Sequence, residues 1–164
     1  MTRMDGSEVL ARLGMERIRA ESCFGALSDA AIAFLLEEGE VFQMADGEAV
    51  FRTGEAGESF FVVLEGRLDY GHLGGGQEVH IRSIEAGQQL GYVSMIGLFE
   101  RLGVGRADGP AKVLKVDSDL FYRFHVKYPF DFGVMSLNLS RDMARAIREV
   151  ISQLADAQAC RLSS

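Results

Sequence analysis

The sequence predicts an α+β fold, an antiparallel sheet sandwich, roll or barrel flanked by N-terminal helices and a long C-terminal helix. Three observations lead there. Apolar residues recur at helix spacing before residue 38. Short runs rich in β-branched and aromatic residues, separated by glycine turns, fill Val41 to Val116. Helical periodicity then returns from Asp117 to the tail.

In the first third, Val9, Leu10, Leu13 and Ile18, then Ala31, Ile32, Phe34, Leu35 and Leu36, predict two short helices, with Ser28 and Asp29 at the N-cap of the second. In the middle third, turn signals stand at Asp46-Gly47, Gly54, Gly57, Gly66, Gly74-Gly75-Gly76, Gly87 and Gly109-Pro110, so each strand is short and reverses at once. After Leu120, Phe121 and Phe124 comes Pro129, which opens a long helix. Along it Leu139, Met143, Ile147, Val150, Leu154 and Ala157 are spaced by four, four, three, four and three residues. That spacing is close to a coiled-coil seam and predicts a homodimer, although the same stripe would also serve to pack against the roll. One domain is expected over residues 1–164, with a helical N-terminus at 7–38, the β-roll at 40–117 and C-terminal helices at 118–158.

The bulk numbers fit this plan. A chain of 164 residues with 48% hydrophobic content buries roughly 70% of its unfolded surface in a single domain. Its 17 Lys and Arg against 24 Asp and Glu give a formal charge of -7, which opposes a phosphate backbone, so no nucleic-acid partner is expected. The longest apolar run, Ala30 to Leu36, is far too short to span a membrane, and the N-terminus lacks the apolar core of a secretion signal. Cys23 and Cys160 have no metal-ligand spacing, and a cytoplasmic, reducing location is expected. His72 and His80 with Glu78 between them compel no clustered site, and no G-x-S-x-G elbow occurs. Neither a metal nor catalysis is expected.

Asp46 to Tyr70, DGEAVFRTGEAGESFFVVLEGRLDY, resembles the cyclic-nucleotide-binding domain family in its catabolite-activator-like form, through Gly47, Gly54, Gly57, Phe60 to Leu64 and Gly66. Phe24, Leu27 and Ser28, then Gly87 with Leu90-Gly91, Phe121 to Pro129 and Leu139 to Ile147 extend the resemblance in both directions. It implies that the roll is an antiparallel double-stranded β-helix (a jelly-roll-like β-roll), with no cofactor but a cyclic nucleotide ligand, held by a phosphate cassette of glycine, glutamate, short helix, and arginine followed by a small residue. Here Gly91 matches the glycine, Val93 to Ile96 the helix with Ser94 near its start, and Arg101-Leu102-Gly103 the arginine and its small neighbour.

The glutamate position is Tyr92. A hydrogen bond to a charged group is worth about 1.5–3 kcal/mol, so its loss weakens nucleotide binding by roughly tenfold to a few hundredfold unless another group replaces it. Tyr92 has two readings, contact with a ligand or filling of the pocket. Arg101 beside Glu100 also has two, a phosphate contact or a solvated charge, and Ser94 is either an anion donor or a backbone cap. In the long helix the resemblance places Val150, Ile151 and Ser152 toward a base, and Met143, Ile147, Val150 and Leu154 in the dimer seam. Residues 1–164 hold no helix-turn-helix module like that of the transcription factors, so sequence-specific DNA binding is not expected. The resulting expectation is a non-enzymatic regulatory module that senses a cyclic nucleotide or related anion and signals through its C-terminal dimer helix to an unknown protein partner. The alternative is a ligand-independent interaction module with a closed pocket.

Overall fold

The strand SFFVVLE, Ser59–Glu65, is apolar on both faces because it is shared by two cores. Period-two alternation sends Phe60, Val62 and Leu64 to a core built with the helices, and Phe61 and Val63 to the interior of the roll. The computed structural model describes residues 1–162, and side chains as far as Ala159; that of Cys160 lies outside them.

In chain order the elements are β1 (Thr2–Met4), α1 (Gly6–Leu13), α2 (Met15–Ala20), α3 (Asp29–Glu38), β2 (Glu40–Met44), β3 (Ala49–Phe51), β4 (Ser59–Glu65), β5 (Leu68–Gly74), β6 (Gln77–Ile84), β7 (Gln89–Leu90), α4 (Tyr92–Gly97), β8 (Val104–Ala107), β9 (Ala111–Asp117), α5 (Ser118–Lys127) and α6 (Pro129–Leu162). All strand pairs are antiparallel. They form a five-stranded sheet in the order β1-β2-β9-β4-β7 and a four-stranded sheet in the order β3-β8-β5-β6. This is the expected α+β arrangement of a β-roll with flanking helices.

Two N-terminal elements differ from expectation. The first third holds three helices, the additional one being α2, and the chain begins with β1, whose Thr2 to Met4 pair with Gln43 to Val41. Ser28 is the N-cap of α3, accepting from the Ala31 N–H. Asp131 of α6 in turn accepts from the Ser28 backbone N–H at 2.6 Å and from its hydroxyl at 3.2 Å, which ties the long helix to the start of α3.

Among the described residues, the buried contacts of α6 lie in its first half. Met135 and Leu139 are fully buried, Asn138 donates to the Gly25 carbonyl at 2.8 Å, and Asp142 is buried. Met143 and Ala146 are half-buried, and Ile147 to Ala159 are exposed. Among the described residues, no helix is long and apolar enough to cross a membrane.

Candidate functional site

Between β7 and α4 the chain must turn sharply, and it does so at Gly91, whose φ of 95° suits glycine. A Cβ there would meet Arg101 Nη1 at 2.5 Å. The turn starts the short helix α4, and a loop from its end at Leu98 returns through Arg101 to β8. This segment is one wall of a cavity of about 450 Å³.

The cassette wall consists of Gly91, Val93, Ser94, Phe99 and Leu102. The roll supplies Phe51, Tyr70, Ile81, Arg82, Gln89 and Leu90, and α6 closes the opposite side with Met143, Ala146, Ile147, Val150 and Ile151. Of the positions singled out from the sequence, Gly91, Val93, Ser94, Leu102, Met143, Ile147, Val150 and Ile151 are therefore brought together around one space. Leu154 is exposed and lies beyond the cavity on α6.

Four other positions lie elsewhere. Ser152 does not line the cavity; its hydroxyl donates to the Arg148 carbonyl one turn back, at 3.1 Å. Gly103 is buried behind the wall, where a Cβ would meet the Gly71 carbonyl oxygen at 2.2 Å. Tyr92 also points away from the cavity. It is 6% exposed in the helix-side core, edge-on to Phe60 at 5.4 Å and to Phe121 at 6.0 Å. Burial there raises its phenol pKa. Tyr92 thus does not line the cavity; it anchors α4 to the helical layer.

Arg101 is the fourth. At 2% exposure it is not a solvated surface charge. Its Nη1 donates to the Gly91 carbonyl at 2.8 Å, and its Nη2 donates to the carbonyl of Ser59 and, at 3.3 Å, to that residue's hydroxyl. The guanidinium lies over the Phe51 ring, 4.3 Å from its centroid, and burial lowers its pKa against the opposing pull of Glu55 and Tyr70. It sits one layer behind the cavity wall rather than in it. Even so, its Nε is buried without a hydrogen-bond partner, and among the described residues it forms no ion pair with a carboxylate.

A cyclic nucleotide fits this site at one end better than at the other. The glycine turn and the uncompensated Arg101 charge suit a phosphate. The Tyr92 N–H, however, is already engaged by Gln89 Oε1 at 3.2 Å, and no Asp or Glu among the described residues lines the cavity to take a ribose hydroxyl.

Sequence reading missed three residues that organise the site. Gln89 links the cassette to α6, since its side chain accepts from Tyr92 while its own N–H donates to Asp142 Oδ2 at 3.2 Å. Asp142 is buried and is paired with Arg145 at 3.1 Å. Arg82 lines the cavity from β6. Its signal was the strand's period, which puts Arg82 on the same face as the buried Ile84.

The comparisons with known proteins agree with this fold. Residues 41–128 match the family model described as the cyclic nucleotide-binding domain. The chain is 30% identical over 80 residues to a cAMP-dependent protein kinase regulatory subunit of Blastocladiella emersonii, a match that covers 48% of this chain and 20% of that protein. The chain thus spans about a fifth of the length of this curated relative. Among solved structures, a cyclic nucleotide-binding domain of Methylobacillus flagellatus KT superposes with a TM-score of 0.81 at 16% identity, covering 95% of this chain and 88% of that one. The catabolite activator protein of Thermus thermophilus gives 0.67 at 22% identity, with 87% and 63% covered. At these identities the two structures speak for the fold alone. The family match spans more than half of the chain and includes the glycine turns, the cassette and α5: the chain belongs to the cyclic nucleotide-binding domain family.

Proposed function

We propose that this chain is a non-enzymatic, ligand-sensing regulatory module. A cyclic nucleotide or related anion in the cavity touches the cassette and α6 together and shifts the helix, which acts on a second copy of the chain and on a protein partner. The observation that carries this reading is the composition of the cavity walls, with Val93, Ser94 and Leu102 facing Ile147, Val150 and Ile151 across one space. A ligand moves an equilibrium only by contacting its two states differently, and here any occupant meets the element that would move. The similarity to a kinase regulatory subunit supports the regulatory class. The exposed Ile147, Val150, Ile151 and Leu154 support α6 as the surface presented to a second copy.

A second reading, a ligand-independent docking module, is favoured by one observation: the Nη donors of Arg101 already serve the Gly91 and Ser59 carbonyls. A thermal-shift titration of the whole chain with cyclic AMP and cyclic GMP separates the two. A ligand at 100 times its Kd stabilises by about 2.7 kcal/mol, which is roughly 5–10 °C for a domain of this size. No shift with either nucleotide at millimolar concentration would overturn the nucleotide form of the reading and leave a sensor of a different anion or the docking module.

A further inference from the structure

Arg82 is a charged group set in an apolar cavity. Its side chain is only 12% exposed and lines the space, and its Nε is buried with no hydrogen-bond partner. The cavity it lines is mostly hydrocarbon, including Phe51, Leu90, Ile147 and Val150, and Tyr70 stands opposite Arg82 across the β5–β6 pair. Among the described residues, the one carboxylate within 4.0 Å of Arg82 belongs to Glu149 of α6, and its Oε2 lies 3.8 Å from Nε. That distance is within ion-pair range but too long for a hydrogen bond. The guanidinium fork is built for bidentate contact with a carboxylate or phosphate at 2.7–2.9 Å, so the resting pair leaves this capacity unused.

Glu149 is also the outermost point at which an ion pair joins α6 to the roll among the described residues. We propose that Arg82 is the anion anchor of this cavity and Glu149 its resting counterion. An amphipathic ligand with an apolar body and one carboxylate or phosphate displaces Glu149, binds Arg82, and so releases the adjacent turn of α6. This rests on reading the chain as a ligand sensor, and it adds both the class of the ligand and the contact through which the ligand reaches the helix.

The test uses the whole chain with 1-anilinonaphthalene-8-sulfonate as a fluorescent reporter, displaced by decanoate, decyl phosphate or the neutral decanol. In the wild-type protein the better of the two anions should have an inhibition constant at least about tenfold below that of decanol, the lower limit for a hydrogen bond to a charged group. A phosphate or carboxylate preference between them identifies the headgroup. Arg82→Gln should bring anion and alcohol to within about twofold, and Arg82→Lys, which keeps the charge but loses the fork, should fall between. Glu149→Gln, at an exposed side chain, should tighten both anions severalfold and leave decanol unchanged. An anion preference that persists in Arg82→Gln overturns the proposal, as does an absence of displaceable dye in both the wild type and Glu149→Gln. These ratios do not depend on the nucleotide titration. Failure of cyclic AMP and cyclic GMP to shift Tm leaves the anion anchor standing, and failure of the Arg82 arm leaves a nucleotide response standing.

Discussion

Replacing Arg101 with methionine separates a guanidinium that builds the cassette from one kept only for a ligand. The substitution preserves most of the side-chain volume over Phe51 but removes the donors to the Gly91 carbonyl and to both oxygens of Ser59. The buried Ser59 carbonyl deprived of this donor costs about 1–3 kcal/mol, the half-buried Gly91 carbonyl, which keeps the Met95 N–H at 3.3 Å, costs about 1 kcal/mol, and the contact with Phe51 adds roughly 0.5–2 kcal/mol. Against this stands the relief of a buried charge without a carboxylate partner, which offsets about 1–2 kcal/mol of that loss. The balance is a destabilisation of about 2–4 kcal/mol in the absence of any ligand, or roughly 5–15 °C in Tm by calorimetry. Arg101→Lys should fare little better, because an ammonium lacks the fork that spans two carbonyls. An Arg101→Met protein that melts at or above the wild-type temperature would refute this reasoning. It would mean that the fold holds the guanidinium at a cost, in reserve for an anion.

Tyr92→Glu, which installs the acid of the family pattern, should not create a nucleotide site. The side chain enters the aromatic cluster of Phe60 and Phe121, and a carboxylate buried there without a partner should lower stability by about 3 kcal/mol or more. A stable Tyr92→Glu protein that binds cyclic AMP more tightly would refute the placement of this residue. Glu65 joins the end of β4 to Lys112, Arg12 and Arg17, and its pKa is lowered chiefly by the Lys112 hydrogen bond. A carboxylate with a folded-state pKa below its unfolded value contributes fully above about pH 4.5, and the contribution is lost as pH falls through the folded value. Urea midpoints between pH 6 and pH 3 should therefore fall less steeply in Glu65→Gln than in the wild type. For the seam on α6, light scattering should give a dimer of the 18.0 kDa chain and a monomer for Leu154→Glu, whose site is exposed; equal masses would place any dimer contact elsewhere.

The roll was legible in the sequence because glycines mark its turns and runs of β-branched and aromatic residues mark its strands, and Ser59–Glu65, flanked by Gly57 and Gly66, carries both signals. β1 carried neither. Three residues make no period, and only pairing with Val41 to Gln43 makes them a strand. α2, at six residues with Ile18 as its one buried side chain, is too short to register as a helix. In the site, cassette order located the wall but not the direction of its side chains. Tyr92 and Arg101 are turned behind the wall by contacts with Phe60, Phe121, Gly91 and Ser59, and none of these contacts is local enough to read from spacing. Arg82 was within reach, since strand parity pairs it with Ile84, but a lone arginine on a strand reads as a surface charge until the opposite wall is known.

The separation of anchor from wall bears on how such a molecule can diversify. Val93, Phe99, Leu102, Ile147 and Ile151 border the cavity yet stay largely exposed, whereas Tyr92, Arg101, Gln89 and Asp142 hold the cassette and helix in place from within. Substitutions in the first group alter which molecule is welcomed at small expense in folding; those in the second are constrained by folding itself. Under the proposed sensing function, a lineage built on this plan is free to exchange its chemical vocabulary many times over while the means of reporting stays fixed.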